Sequence, residues 1–347
     1  MEKDELPSNS THICLAQEQL EDLEDPPVAQ EPPLRKTAPE RQLQWESVCS
    51  AAQGVDANSI SAMVVVFDDR NSNETPFLQL NCKLNSRFCI EQGLGFLFAG
   101  GPSCQLLQQM PAHWARVFYL HTLVGQLPHH DCSFIISLDS DAAFANPAVD
   151  FRQLLGGLPM DRSVFLAKDP AMWPPPEGWE TCGVYCSGCV IIRLNDSGKQ
   201  FLTQWRDSFD KSCWWQNEEG KWTTDGKWAG PTYEQGQLNV LAQGVFAEQV
   251  LELPQALFNS CRVRPRGSPQ PIVVHLMRRP GEWGVGAKDE RVATAFRMLL
   301  DELARHSARA GLAVCDGLPR DVIALQLWEE EEESWWFSTM LNHVIWS

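Results

Sequence analysis

Asp139 and Asp141 stand at i and i+2, directly after the apolar run Phe134-Ile135-Ile136-Ser137-Leu138. On a regular strand two such side chains would point to opposite faces. In a turn just past a strand end, both carboxylates can converge on one cation. Hard divalent ions such as Mg²⁺ and Mn²⁺ take oxygen ligands, and they commonly join one or two carboxylates to the phosphates of a substrate. An ion held there would bridge the two phosphates of a nucleotide and neutralise charge growing on a leaving diphosphate. The plain alternative is an aspartate cap followed by a turn. The apolar strand before the pair, and Ala142-x-Phe144-x-Asn146 after it, favour the ligand reading.

The pair needs a sheet to present it, and the chain predicts one. Ser61 to Phe67 is a continuous apolar run, as in a strand covered on both faces. Helical spacing from Phe77 to Gln92 follows, then Gly93, then a strand at Gly95 to Ala99. Strand, helix, strand is the order of a parallel α/β sheet. Further helices are expected at Trp114 to Val124, from about Val149, at Gly198 to Phe209, at 234–243 and at 288–309. Further strands are expected at 133–138, Val164 to Ala167, Cys189 to Arg193, near 249–253 and at 271–276. In open α/β sheets ligands collect at the carboxyl ends of strands, which is where Asp139 and Asp141 fall. Residues 211–233, rich in Trp, Gly, Asp and Lys, read as a long surface loop.

The 347 residues divide into an acidic, disordered or loosely helical leader at 1–54, a folded domain at 55–310 and an acidic, Trp-rich tail at 311–347. A net charge of −17 argues against nucleic acid or an anionic membrane as the main partner. No apolar run approaches the roughly 20 residues of a transmembrane span. The N-terminus lacks the pattern of a signal peptide, so the chain as written reads as cytoplasmic.

The segment Leu138-Asp139-Ser140-Asp141-Ala142-x-Phe144-x-Asn146 resembles the D-x-D region of GT-A-fold glycosyltransferases. The likeness is strongest to the galactosyl/xylosyltransferase family of plant and fungal Golgi enzymes. Other segments fall in the family's order: Asn85 to Gly95, Pro111 to Phe118, Lys168-Asp169-Pro170, Ser187 to Arg193, Glu234 to Asn239 and Val274-His275-Leu276. The resemblance covers about residues 60–305. It implies a GT-A-like, mixed and mostly parallel sheet flanked by helices. It implies transfer of a hexose or pentose from a nucleoside diphosphate sugar, UDP-linked by precedent, to a glycan or other acceptor hydroxyl. It further implies Mn²⁺ (or Mg²⁺) as cofactor, retention of anomeric configuration and a secretory-pathway setting.

Carried over residue by residue, the resemblance makes His275 the third metal ligand beside Asp139 and Asp141, with Asp139 also contacting the ribose or a metal-bound water. Glu234 and Gln235 would line the sugar pocket and do the catalytic work. Asp68 and its neighbour Asp69 would meet base and ribose, and Ser187 and Gly188 would lie along the donor. Of the cations Arg278, Arg279 and Lys288, the last is expected to stabilise the leaving diphosphate. The chain departs from the family at Cys186, which stands where the family has Asn, and in a longer stretch from Met277 to Lys288.

Two rival readings are different in kind. Cys182, Cys186 and Cys189 match C-x3-C-x2-C, the spacing of radical S-adenosylmethionine enzymes that hold an iron–sulfur cluster. A GT-A fold without catalysis, acting as a binding protein, is the other. His129-His130-Asp131 reads as a solvated turn rather than a metal site. The loop tryptophans 173, 214, 215, 222 and 228 suit either packing or sugar faces.

Overall fold

The run Ala62-Met-Val-Val-Val-Phe-Asp68 forms strand β1, and every residue in it is buried. A strand buried on both faces has to lie inside its sheet, and β1 does, between β2 (Gly95–Gly100) and β3 (Phe134–Leu138), parallel to both. The computed structural model describes residues 39–310 apart from 73, 128–131, 170–183, 266, 278–285 and the side chains of 39–44. Contacts divide the chain into Met1–Glu46 and Ser47–Ser347, and every strand belongs to the second unit.

In chain order the helices are α1 (Pro39–Ala52), α2 (Pro76–Glu91), α3 (Leu106–Gln109), α4 (Ala112–Gln126), α5 (Phe151–Gly156), α6 (Asp196–Asp207), α7 (Glu234–Gln243), α8 (Gln255–Phe258) and α9 (Ala287–Arg309). The remaining strands are β4 (Ala142–Phe144), β5 (Val164–Lys168), β6 (Tyr185–Arg193), β7 (Trp215–Gln216), β8 (Trp222–Thr223), β9 (Val250–Leu253) and β10 (Val273–His275).

Six strands make the central sheet in the order β2-β1-β3-β6-β5-β9. Only β6 runs against the others, pairing antiparallel with β3 on one side and β5 on the other. Helices flank the sheet. The α/β fold, with the mixed, mostly parallel sheet expected of a GT-A-like chain, is therefore what forms.

A second, two-stranded sheet lies at the carboxyl end of β3. There β4 pairs antiparallel with β10, and His275 sits opposite Ala142. Apolar contacts fix this small sheet to its neighbours. Phe144 of β4 stacks on Phe88 of α2 at 4.4 Å and 6°, and Phe151 of α5 meets Phe144 edge-on at 4.9 Å. All three rings are fully buried, each worth about 2–3 kcal/mol by area.

Two boundaries differ from the sequence reading. Val48 and Ala52 of α1 are buried, and a Cβ at Gly157 would come within 2.6–2.8 Å of their backbone. The packed body thus takes in the last residues of the stretch read as the leader. The segment read as a plain loop at 211–233 contains the β7–β8 hairpin. Arg278, Arg279, Cys182, Trp173, His129-His130-Asp131 and the C-terminal tail lie outside the described residues. Among the described residues no helix is long and apolar enough to cross a membrane.

Candidate metal centre

The turn after β3 is closed by Ala142 N–H donating to Asp139 C=O. Two buried asparagines of α2 brace it. Asn81 Nδ2 donates to the carbonyls of Ser140 and Ala142, each at 2.8 Å. Asn85 Nδ2 reaches the Ala142 carbonyl, and Asn85 Oδ1 accepts from Phe144 N–H. Because β10 pairs with β4 immediately beyond the turn, His275 arrives beside the two aspartates. Its register is set by its own N–H to Ser260 C=O and by Leu276 N–H to Asp141 C=O.

One donor atom each from Asp139, Asp141 and His275 lies within 4.8 Å of the others. His275 Nε2 is 3.2 Å from Asp141 Oδ1 and 3.4 Å from Asp139 Oδ2. Its other nitrogen, Nδ1, is 3.0 Å from Asn259 Oδ1. Asn259 spends its Nδ2 on the Lys168 carbonyl, so its oxygen is the acceptor and Nδ1 carries a hydrogen. That partner turns Nε2 toward the carboxylates, as outer partners of metal-binding histidines do.

Two cations also face the aspartates. Lys288, in the first turn of α9, places Nζ 2.6 Å from Asp141 Oδ2. A cation is disfavoured at a helix N-terminus, so the aspartate is what offsets its position. Arg116 of α4, buried in the interior, pairs through Nη1 with Asp139 and through Nη2 with Glu234 Oε1 at 3.2 Å. Its Nη1 also donates to the Ser187 carbonyl.

Burial opposes charge on both aspartates. The Arg116 guanidinium and His275 nevertheless hold Asp139 below the usual carboxylate range, and His275 and Lys288 hold Asp141 far below it. Burial likewise opposes charge on His275, but Asp141 and Asp139 raise it well above the ordinary imidazole value. Without a metal, the two carboxylates therefore favour the protonated form of His275.

The donor set fits a divalent ion. Two ionised carboxylates and one imidazole nitrogen already converge, and two cationic groups, protonated His275 and Lys288, stand where an ion's charge would otherwise be felt.

The other expected residues separate into two groups. Glu234, Gln235, Ser187 and Gly188 lie behind the centre. Ser187 Oγ lies 3.1 Å from Glu234 Oε1 and 3.2 Å from Gln235 Oε1, while its N–H donates to Gln235 Oε1 at 3.1 Å. Gln235 Nε2 donates to Asp169 at 2.8 Å, and all four side chains are buried. Gly188 passes its bare backbone against the His275 ring and accepts Asp139 N–H on its carbonyl. Asp68 is at the carboxyl end of β1 as expected, but both its oxygens are already bound by Arg70, at 2.9 Å from Nε and 2.7 Å from Nη2. Arg70 also reaches Ser140 Oγ at 3.2 Å.

Sequence reasoning assigned no site role to Arg116, Asn81, Asn259 or Arg70. A charged residue on the otherwise apolar α4, Trp114 to Leu120, is the signal that could have found the first.

Of the three cysteines in the cluster-binding reading, Cys182 lies outside the described residues, and Cys186 and Cys189 are buried on β6, where the pairing with β5 is irregular. Burial raises the Cys186 thiol and pushes Cys189 up to about 12.

No family model matches the chain, and no curated protein matches it. Among solved structures it is similar to a glycosyltransferase involved in the glycosylation of the major capsid of PBCV-1. That similarity is 13% identity and a TM-score of 0.45 over 67% of this chain and 98% of the other. It is also similar to mouse xyloside xylosyltransferase 1 in its apo form, at 11% identity and a TM-score of 0.36 over 62% of this chain and 97% of the other. Likenesses this distant decide nothing about the site, whose chemistry rests on the distances among its own residues.

Proposed function

We propose that this chain is a metal-dependent glycosyltransferase that moves a sugar from a nucleoside diphosphate sugar to an acceptor hydroxyl. The observation that carries the reading is the convergence of Asp139, Asp141 and His275 donors within 4.8 Å at the carboxyl edge of the sheet. The sequence resemblance supports a UDP-linked hexose or pentose as donor and retention at the anomeric carbon. A bound divalent ion would act as a Lewis acid toward the leaving diphosphate.

The chain's own residues divide the remaining work. Asp139 is held in place by Arg116, whose charge keeps it ionised inside the fold. Lys288, paired with Asp141 at 2.6 Å, would offer its ammonium to the phosphate oxygens of a bound donor. Glu234 and Gln235, fixed by Ser187, Arg116 and Asp169, form the polar floor on which the transferred sugar would rest.

The test is hydrolysis of UDP- and GDP-sugars with Mn²⁺ and with EDTA, in the parent protein and in Asp141→Asn. The expected result is turnover that EDTA and the substitution both abolish. Turnover indifferent to both would overturn the reading.

One observation favours a second reading, a GT-A fold that binds without catalysing. Lys288, Arg116 and protonated His275 already balance the acidic groups, so the centre is electrostatically complete without an ion. Calorimetry with Mn²⁺ and UDP separates the two. A protein that binds UDP with no response to Mn²⁺, and turns over no donor, is the second kind.

A further inference from the structure

Trp228 is 61% exposed, while the alanine that follows it is 2% exposed. Ala229 has φ 57°, the one positive φ at a non-glycine residue among those described. An alanine in that region costs about 1 kcal/mol or more, and such strain persists only where the surroundings impose it. Here the surroundings are tight. Gly230 N–H bonds back to Lys227 C=O, and Tyr233 N–H to Gly230 C=O. A Cβ on Gly236 would lie 1.9 Å from the Gly230 carbonyl oxygen. The indole N–H groups of Trp114 and Trp214 both donate to Thr232 C=O, at 2.9 and 3.2 Å. The loop is thus clamped into a shape that turns a large apolar ring toward water.

That ring is also braced. Its centroid is 4.9 Å from His113 at 75° and 5.0 Å from Tyr233 at 61°, and Tyr233 is in turn packed at 5.1 Å against Trp214. His113 and Tyr233 belong to the elements that serve the metal centre. His113 is three residues, one helical turn or about 5 Å, before Arg116 on α4. Tyr233 immediately precedes Glu234, which accepts from Arg116 at 3.2 Å.

We propose that Trp228, buttressed by His113 and Tyr233, is a carbohydrate-binding platform that takes a pyranose ring of a neutral acceptor glycan beside the Asp139–Asp141–His275 centre. The assignment of this glycan as acceptor rests on the glycosyltransferase reading. A pyranose presents an apolar C–H face of about the size of one indole, with hydroxyls around its edge. Trp228 offers one such aromatic face, fixed in advance, so little order is lost on binding. Thr224, Asp225 and Lys227 supply polar side chains beside it in the same loop. A stable protein interface would need about 1,000 Å² or more of buried surface. Of the other exposed large hydrophobics, Ile90, Met160, Val240, Val245 and Met298 come from other segments, and Trp215, 44% exposed, adds one further ring from the same segment, far less than such an interface needs.

The test uses the full chain with Trp228→Ala and Trp228→Phe. Saturation-transfer NMR and tryptophan-fluorescence quenching would be recorded with methyl glycosides of glucose, galactose, mannose and xylose and with their linear oligosaccharides. The parent is expected to bind at least one of them. Trp228→Ala should weaken that binding by about tenfold or more, the scale of one aromatic contact, and Trp228→Phe should keep most of it. Circular dichroism of both variants should match the parent, showing that the fold is kept. No glycan binding by the parent, or equal binding by Trp228→Ala, would overturn the platform. So would self-association that the alanine abolishes, since the ring would then be a contact between copies. Trp228-dependent glycan binding in a protein with no donor turnover would keep the platform and remove the transferase reading.

Discussion

Gly188 and His275 compete for one volume. A Cβ at position 188 would lie 2.1 Å from the imidazole Cε1 and 2.3 Å from Nδ1, closer than any real contact. Only glycine lets β6 pass the ring, and only the ring's present position puts Nε2 on the aspartates. Gly188→Ala should therefore displace His275 while β6 keeps its pairing. Mn²⁺ affinity by calorimetry is expected to fall by about 10–100-fold, the cost of misplacing a ligand's support. Affinity within twofold of the parent would show that the ring has other room.

Protons should move when a metal binds. In the metal-free protein His275 is raised well above its ordinary value, chiefly by Asp141 against the opposing effect of burial, so its protonated form is favoured. A metal needs the neutral ring. Titration with Mn²⁺ in two buffers of different ionisation heat should release about one proton per ion at pH 7, and affinity should rise with pH. No buffer dependence would mean that the imidazole is not a ligand.

The same shifts set a pH window for the metal-free fold. His275 is raised, so its contribution is complete below about pH 6.5 and is lost as pH rises through its folded value. Asp139 and Asp141 are lowered, so theirs is complete above about pH 4 and is lost as pH falls through their folded values. Melting in EDTA should fall on both sides of neutrality. In His275→Gln the alkaline fall should shrink while the acid one stays.

Arg116 bridges the half-buried Asp139 and the buried Glu234, so its removal leaves both carboxylates without their cation, one of them inside the protein. Arg116→Met is expected to cost about 3–5 kcal/mol in denaturant unfolding, as breaking a buried pair does. Arg116→Lys, which keeps the charge but not the fork, should cost less. A neutral result for the methionine would place the carboxylates in water.

Asn81 gives both of its amide hydrogens to carbonyls of the acidic turn. Asn81→Asp replaces a double donor by an acceptor. The loss should be about 1–3 kcal/mol or more, since the carbonyls go unpaired. Thermal melting and Mn²⁺ titration of the same variant would read both consequences.

What could be read from the chain was whatever local pattern carries. The run 62–68 announces a doubly covered strand, and three apolar residues before His275 announce β10. The acidic pair at a strand end was visible for the same reason. The contacts that make a site of these pieces are not local. Nothing in Ala142-Ala143-Phe144 says that it will pair with Val273-Val274-His275, because the short strands are specified by the stacked rings of Phe88, Phe144 and Phe151. Asp68 reads as a free acceptor, yet Arg70, two residues on, folds back over it. The hairpin of Trp215-Gln216 with Trp222-Thr223 is too short for alternation to reveal.

The pairing of β4 with β10 also has a temporal meaning. The acidic turn leaves the ribosome long before the histidine does, and by itself it offers two repelling charges and no third donor. An ion held by all three would rivet an early segment to a late one. Its occupancy would thus report that the nascent polypeptide had been made through His275 and docked, and a product truncated before Val273 would be born unable to hold it.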